Sequence, residues 1–204
     1  MRGLEWRAEM PEAPHRSRRL LLAALACALA LAGCGGGGSE GEITTALERT
    51  WTSHDDAACT DAQTQRFLEQ TWFQRGAAAL RACERGGPDA TADSIQVNDV
   101  QVDGDRATAH TAISGSPYDG QTLATSLVRE NGRWKADHLD SIPVFDRAAL
   151  VAAMRRQLTQ GGGIGRARAD CIAAKMQKAA RPRLEALLLS GDPASFSFFY
   201  DLCG

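Results

Sequence analysis

An α+β fold is predicted by three observations along the chain. Apolar residues recur every three or four positions between residues 42 and 85, which is typical of helices. From Ile95 to His138 they instead alternate, as in strands, and the alternation is interrupted by tight-turn dipeptides. Helical periodicity returns from Val144. Because strands joined by short turns pair antiparallel, we expect the helices to cover one face of an antiparallel sheet.

The segment before the sheet is predicted to form two or three short helices. The first covers residues 42–54 and places Trp51 on its apolar face. The second covers residues 61–74, and an alanine-rich third covers residues 76–85. The two glycines and the proline at 86–88 end the third helix.

Four strands are predicted to form a meander. A phase change at Asn98 and Asp99 indicates a β-bulge in the first strand. Asp103-Gly104 predicts a tight turn, and Asn131-Gly132 is the strongest hairpin signal in the chain. The predicted strands cover residues 95–102, 106–113, 121–130 and 134–138.

The N-terminus has the order of a secretory signal peptide over residues 1–33. Arg16, Arg18 and Arg19 precede an apolar run at residues 20–32. That run has thirteen residues, whereas a membrane-spanning helix needs roughly 20. We therefore expect it to be a cleaved signal and not an anchor.

The end of this signal, Leu31-Ala32-Gly33-Cys34, resembles the lipobox of bacterial lipoproteins. The resemblance implies that the Cys34 thiol takes a diacylglycerol and that cleavage falls just before it, which gives a lipid-anchored protein on the extracytoplasmic side of the membrane. Residues 34–41 are then the lipidated cysteine and a flexible glycine-rich tether. The alternative is an ordinary secretory signal in which Cys34 is incidental.

Four cysteines remain once Cys27 and Cys34 are set aside. An even number in an exported chain indicates disulfide bonds, and four cysteines allow three pairings. Neighbourhood in the sequence favours Cys59 with Cys83, and Cys171 with Cys203. A zinc site is the competing interpretation, but the CxxC and HxxxH spacings are missing. No metal or cofactor is predicted.

The charge balance argues against nucleic-acid binding. The chain has 204 residues with 23 basic and 25 acidic side chains, a formal net charge of −2. A nucleic-acid-binding domain needs a clustered basic face, and none is evident.

The meander carries a family resemblance. Residues 119–123 read Asp-Gly-Gln-Thr-Leu and residues 127–135 read Leu-Val-Arg-Glu-Asn-Gly-Arg-Trp-Lys. With helices placed before them, these segments make residues 42–142 similar to the nuclear transport factor 2-like superfamily, which includes the SnoaL and ketosteroid-isomerase shapes. The resemblance implies a cone of curved antiparallel sheet around helices, with a pocket at its open end and frequent homodimerisation. Residues 143–204 lie outside it and are predicted to be a helical appendage closed by the Cys171–Cys203 bridge.

Enzymes of this superfamily transfer protons with an Asp or a His-Asp pair inside the cone. By that resemblance the catalytic candidates here are His138 and Asp140, with His138 expected on the same strand face as Trp134. The alternative is a solvent-facing strand-end histidine, and no catalytic residue is assigned. Four aromatic residues are candidates to line a ligand pocket, although side chains of this kind more often belong simply to a core: Trp51, Trp72, Trp134 and Tyr118.

Two further histidines, His54 and His110, are not predicted to form a site. His110 is expected on the outer strand face. His54, next to Asp55 and Asp56, is expected at a solvated acidic helix end and not in a metal site.

Three functions follow as hypotheses. The first is a non-catalytic membrane-anchored lipoprotein that binds a small apolar ligand or an envelope protein. The second is a SnoaL-type isomerase, dehydratase or hydrolase that uses His138 and Asp140. The third is an accessory domain that positions an envelope enzyme through its C-terminal helices.

Overall fold

A computed structural model describes residues 36–86, 91–160 and 164–204. The predicted signal peptide and Cys34 lie outside these residues. The architecture is α+β, as predicted, with a four-stranded antiparallel sheet. The elements in chain order are α1 Gly36–Thr52, α2 Ala58–Asp61, α3 Gln65–Trp72, α4 Ala77–Gly86, β1 Ser94–Asp103, β2 Arg106–Ser114, β3 Thr122–Glu130, β4 Arg133–Val144, α5 Arg147–Gln160, α6 Arg166–Lys178, α7 Arg181–Leu189 and α8 Pro193–Asp201.

The strands follow one another across the sheet in the order β1-β2-β3-β4, which is the predicted meander. The register between β1 and β2 shifts between Asn98 and Gln101, and Asp99 has a φ of 52°, so the predicted bulge is confirmed. Asn131 and Gly132 both have positive φ, at 52° and 77°, as a two-residue type I′ hairpin requires.

Helix α1 packs against the inner face of the sheet and contacts both β1 and β4. These are the two edge strands, which would lie about 14 Å apart in a flat four-stranded sheet. One helix contacts both, so the sheet curves around it. Ile43 and Leu47 of α1 are fully buried against this face.

Helix α1 begins at Gly36, six residues before the predicted start. Residues 36–41 of the predicted flexible tether are therefore helical. Glycine costs up to about 1 kcal/mol per residue in a helix, which is why the composition predicted a tether. In the structure, the helix extends toward the N-terminus from the buried stretch that begins at Ile43.

The predicted second helix, residues 61–74, is shortened to α3, and a separate short helix, α2, ends at Asp61. Residues 62–64 run along the edge of β4, where the Ala136 N–H donates to the Ala62 carbonyl at 2.8 Å and the Thr64 N–H donates to the Ala136 carbonyl at 2.9 Å. Helical dihedrals cannot satisfy these bonds, so the helix is interrupted there. Thr64 then caps α3 by accepting a hydrogen bond from the Phe67 N–H at 3.2 Å.

The C-terminal helices share a hydrophobic cluster with the sheet and α1. Leu150, Ile172 and Leu184 belong to the same cluster of buried side chains as Leu47 and Leu123. The boundary between residues 142 and 143 stays a prediction.

Two buried glutamines connect these helices to the rest of the fold. The Gln70 amide donates to the carbonyls of Leu139 at 2.9 Å and Leu189 at 2.7 Å, and its oxygen accepts from the Leu139 N–H at 2.8 Å. Gln121 donates to the Asp146 carbonyl at 2.9 Å and accepts from the Asp146 N–H at 3.1 Å. Gln70 therefore satisfies backbone groups of β4 and α7, and Gln121 satisfies both backbone groups of Asp146, the residue before α5.

Both favoured disulfides are confirmed. Cys59–Cys83 joins α2 to α4 with a Cα–Cα distance of 6.1 Å. Cys171–Cys203 joins α6 to the residues that follow α8, with a Cα–Cα distance of 5.9 Å.

Candidate ligand-binding site

A cavity of about 410 Å³ lies at the C-terminal end of α1. Its volume is within the range typical of small-molecule sites. Residues from α1, α3, α5 and the loop before β3 form its wall. The large apolar and aromatic side chains that line it are Trp51, Phe67, Trp72, Phe73, Tyr118, Met154, Leu158 and Leu188.

Trp51 is the centre of an aromatic cluster in this wall. Its ring centroid lies 5.8 Å from that of Phe67 and 5.3 Å from that of Tyr118, and both contacts are edge-to-face. Trp51 is only 6% exposed. Burial raises the pKa of the Tyr118 phenol, so this wall carries no negative charge from Tyr118 at neutral pH.

The Cys59–Cys83 bridge also lines the cavity. It belongs to a small apolar cluster, separate from the main core, in which Leu68 and Ala79 are buried. Helix α4 therefore forms part of the wall through this cluster and the bridge. The side chain of Gln63 donates to Cys83 Sγ at 3.9 Å on the same side.

Polar residues surround the mouth of the cavity. His54, Asp55 and Asp56 line it and are exposed, as expected for a solvated acidic helix end. His54 Nδ1 lies 3.4 Å from the hydroxyl of Thr91. Across residues 36–86, 91–160 and 164–204, no group of three or more His, Cys, Asp or Glu side chains is arranged to hold a metal ion.

Two backbone features shape the aromatic wall. Phe73, which follows α3, has a φ of 54°, a left-handed conformation that is unfavourable for a bulky residue and costs on the order of 1–2 kcal/mol. Gly86 lies under Trp72, because a Cβ placed on it would be 1.9 Å from the Trp72 ring. Trp72 can occupy its position on the wall only while residue 86 has no side chain.

Three of the four predicted pocket residues come together here. Trp51, Trp72 and Tyr118 line the cavity. Trp134 is not among the lining residues and lies buried in the core, with the Arg129 guanidinium 5.9 Å from its ring centroid.

The expected position of His138 on the strand face of Trp134 is wrong. Ala136 pairs with Leu127, but His138 pairs with Ser126, so Asp137 is an extra residue in β4. The bulge reverses the alternation and places His138 opposite Ser126 on the outer face of the sheet. Asp137 is held in the bulge because its carboxylate accepts from the Thr64 hydroxyl at 2.9 Å and from Arg66 at 3.0 Å.

His138 and Asp140 do form a pair on this outer face. His138 Nδ1 lies 3.0 Å from Asp140 Oδ1, with side-chain exposures of 29% and 42%. The Ser126 hydroxyl donates to the other Asp140 oxygen at 2.5 Å, so it contacts the carboxylate and not the imidazole. A serine activated by a histidine is therefore not formed here. His110 also faces outward, as expected, and pairs with Asp99 at 3.0 Å.

Several lining residues were not anticipated from the sequence. Phe73, Leu188 and Pro193 join the wall although they are far from Trp51 along the chain. Met154 and Leu158 lie four residues apart on α5 and so form an apolar helix stripe. A stripe that lines a cavity has the same spacing as one that packs in a core, so the sequence contains no signal that separates them.

Comparison with family models, with curated proteins and with solved structures finds no match to this chain. Among the described helices, none combines the length and apolar composition that a membrane span requires.

Proposed function

We propose that this chain is a membrane-anchored, extracytoplasmic binding protein whose cavity holds a small apolar molecule. The observation that carries the proposal is the 410 Å³ cavity with its aromatic wall. Apolar surface removed from water stabilises a complex by about 25 cal/mol per Å². Buried aromatic side chains that face a space of ligand size provide that surface.

The proposed role is non-catalytic. The His138–Asp140 pair lies on the outer face of the sheet, and neither residue lines the cavity. Residues at the mouth are polar and would leave a head group of the ligand in water. This arrangement supports binding better than proton transfer within the cavity.

We also propose the nuclear transport factor 2-like cone as the fold. Helices precede a four-stranded meander that curves around α1, and the cavity lies at one end of that helix. These features support the resemblance of residues 42–142.

The anchor is proposed to be lipid on Cys34. Two disulfides in the folded part support an oxidising, extracytoplasmic compartment. The expected result is that a Cys34→Ser variant moves from the membrane fraction to the soluble fraction.

The cavity is tested with N-phenyl-1-naphthylamine, an uncharged apolar probe that fluoresces when it leaves water. Leu158→Trp fills part of the cavity and is expected to weaken probe binding by about tenfold or more, since it removes buried contact area worth at least about 1.4 kcal/mol. Val151→Trp is the matched control, because Val151 is also half-buried on α5 but does not line the cavity. Absence of binding to the unmodified protein, or equal losses in both variants, would contradict the proposal.

A further inference from the structure

Helix α5 presents a second functional candidate on the face turned away from the cavity. Ala152, Arg155, Arg156 and Thr159 are spaced i, i+3, i+4 and i+7, so they share one face. Together with Arg166 they line a concave surface between the end of α5 and the start of α6. We call this the arginine surface.

Two of its three guanidinium groups are only partly neutralised. Arg155 donates to Asp170 at 2.5 Å, and Arg156 donates to Asp119 at 2.8 Å. Each of these contacts uses one of the five N–H donors of a guanidinium group, and solvent-exposed ion pairs contribute little to stability. Most of the donors on both arginines remain available to a ligand.

Arg166 has no ion pair or hydrogen bond from its side chain within the described part of the chain, and it is exposed. Three guanidinium groups therefore face two carboxylates, which leaves one uncompensated positive charge. Arg166 is the first residue of α6, and the preceding Gly165 offers no side chain to cap the free amides of that helix. The amides add to the positive potential at the same place.

Thr159 contributes no donor to this surface. Its hydroxyl donates within the helix, to the carbonyls of Arg155 at 3.0 Å and Arg156 at 2.9 Å. Recognition at this surface is therefore by the guanidinium groups.

We propose that the arginine surface binds a phosphate-type anion. Planar guanidinium groups offer paired N–H donors that match the oxygens of phosphate, and one singly charged phosphate group would offset the one excess positive charge of the three arginines. The phosphate can be the head group of an anionic lipid or a free phosphate compound. This site is separate from the cavity, so its test does not depend on whether the cavity binds an apolar ligand.

The test uses the full chain carrying Cys34→Ser, which cannot be acylated at residue 34, in two binding experiments at low ionic strength. Inorganic phosphate is titrated by calorimetry. In parallel, co-sedimentation is measured with vesicles of phosphatidylcholine, with and without phosphatidylglycerol. Arg166→Gln is expected to weaken binding by about tenfold, because it removes a charge-assisted hydrogen bond to the anion. Lys175→Gln, which removes an exposed charge from the same helix outside the arginine surface, is expected to change it less than about twofold.

Saturable phosphate binding that depends on Arg166 would support the proposal with a free phosphate as ligand. Binding only to vesicles that contain phosphatidylglycerol, with the same dependence, would support it with a lipid head group. Absence of binding in both experiments, or equal losses in Arg166→Gln and Lys175→Gln, would overturn it. Arg166 is exposed and has no ion pair in the described residues, so the variant is expected to unfold at the temperature of the unmodified protein.

Discussion

The cavity wall and the outer face of the sheet differ in the side chains they hold and in their access to water. The wall joins buried aromatic residues such as Trp51 and Tyr118 to a disulfide. The outer face carries the His138–Asp140 and His110–Asp99 pairs, all partly exposed. A small-molecule site needs a concave surface from which the ligand can displace water. A hydrogen-bonded pair on an open face has no enclosed space in which to hold a substrate. The cavity that could bind a ligand and the two His-Asp pairs therefore lie on different sides of the sheet.

The two disulfides test whether ligand binding depends on the bridge that lines the cavity wall. Cys59→Ser/Cys83→Ser and Cys171→Ser/Cys203→Ser are each expected to lower the free energy of unfolding by about 3.5 kcal/mol, because they close loops of similar length. Only the first pair lines the cavity. In binding titrations at a temperature where both variants are folded, only the first is expected to weaken the apolar probe. Equal losses of probe binding would show that the wall does not depend on its own bridge.

Gln70 tests how the C-terminal helices, which supply Leu188 to the wall, are held against the sheet. Gln70→Ala is expected to cost about 3 kcal/mol in urea unfolding, because three buried backbone groups each lose a hydrogen bond. Gln74→Ala, at an exposed position just after the same helix, is expected to stay within about 0.5 kcal/mol. A small effect at Gln70 would mean that the helices are held by apolar packing alone.

Gly86→Ala alters the wall without removing any wall side chain. The new methyl group overlaps the Trp72 ring and is expected to cost about 2 kcal/mol, and the displaced ring is expected to change probe affinity. Gly41→Ala is the matched control, since it is also helical and has no atom within 4 Å of the new methyl group. It is expected to raise the free energy of unfolding by up to about 1 kcal/mol, which thermal unfolding would detect.

On the outer face, His138→Gln is expected to have the smallest effect. The pair is partly exposed, so the change in stability should be less than about 0.5 kcal/mol, and probe affinity should not change. Fluorescence titration and thermal unfolding measure both quantities. A tenfold loss of probe affinity would show that the outer face and the cavity are coupled.

Much of the fold was predictable because its signals are local. The hairpin at Asn131-Gly132 and the bulge near Asp99 depend on neighbouring residues, and both are confirmed. The disulfide pairing was also favoured correctly, because each bridge joins cysteines from one section of the chain.

The candidate site was predictable only in part. Trp51, Trp72 and Tyr118 were expected from their size and apolar character, but these properties do not separate a wall residue from a core residue such as Trp134. The face on which His138 lies could not be predicted from alternation along β4. The bulge at Asp137 that changes the alternation is stabilised by Thr64 and Arg66, more than seventy residues away along the chain.

The sequence by itself determined the α+β class, the order of helices and strands and the hairpin turn, and it favoured one of the three possible pairings of four cysteines. Periodicity, turn dihedrals and chain neighbourhood are properties of short segments. Only the tertiary structure decided that Leu188 and Trp51 share a cavity, that His138 faces outward and that Arg166 lines the same surface as Arg155 and Arg156. Each of these depends on long-range hydrogen bonds and on packing between elements, which no local pattern encodes.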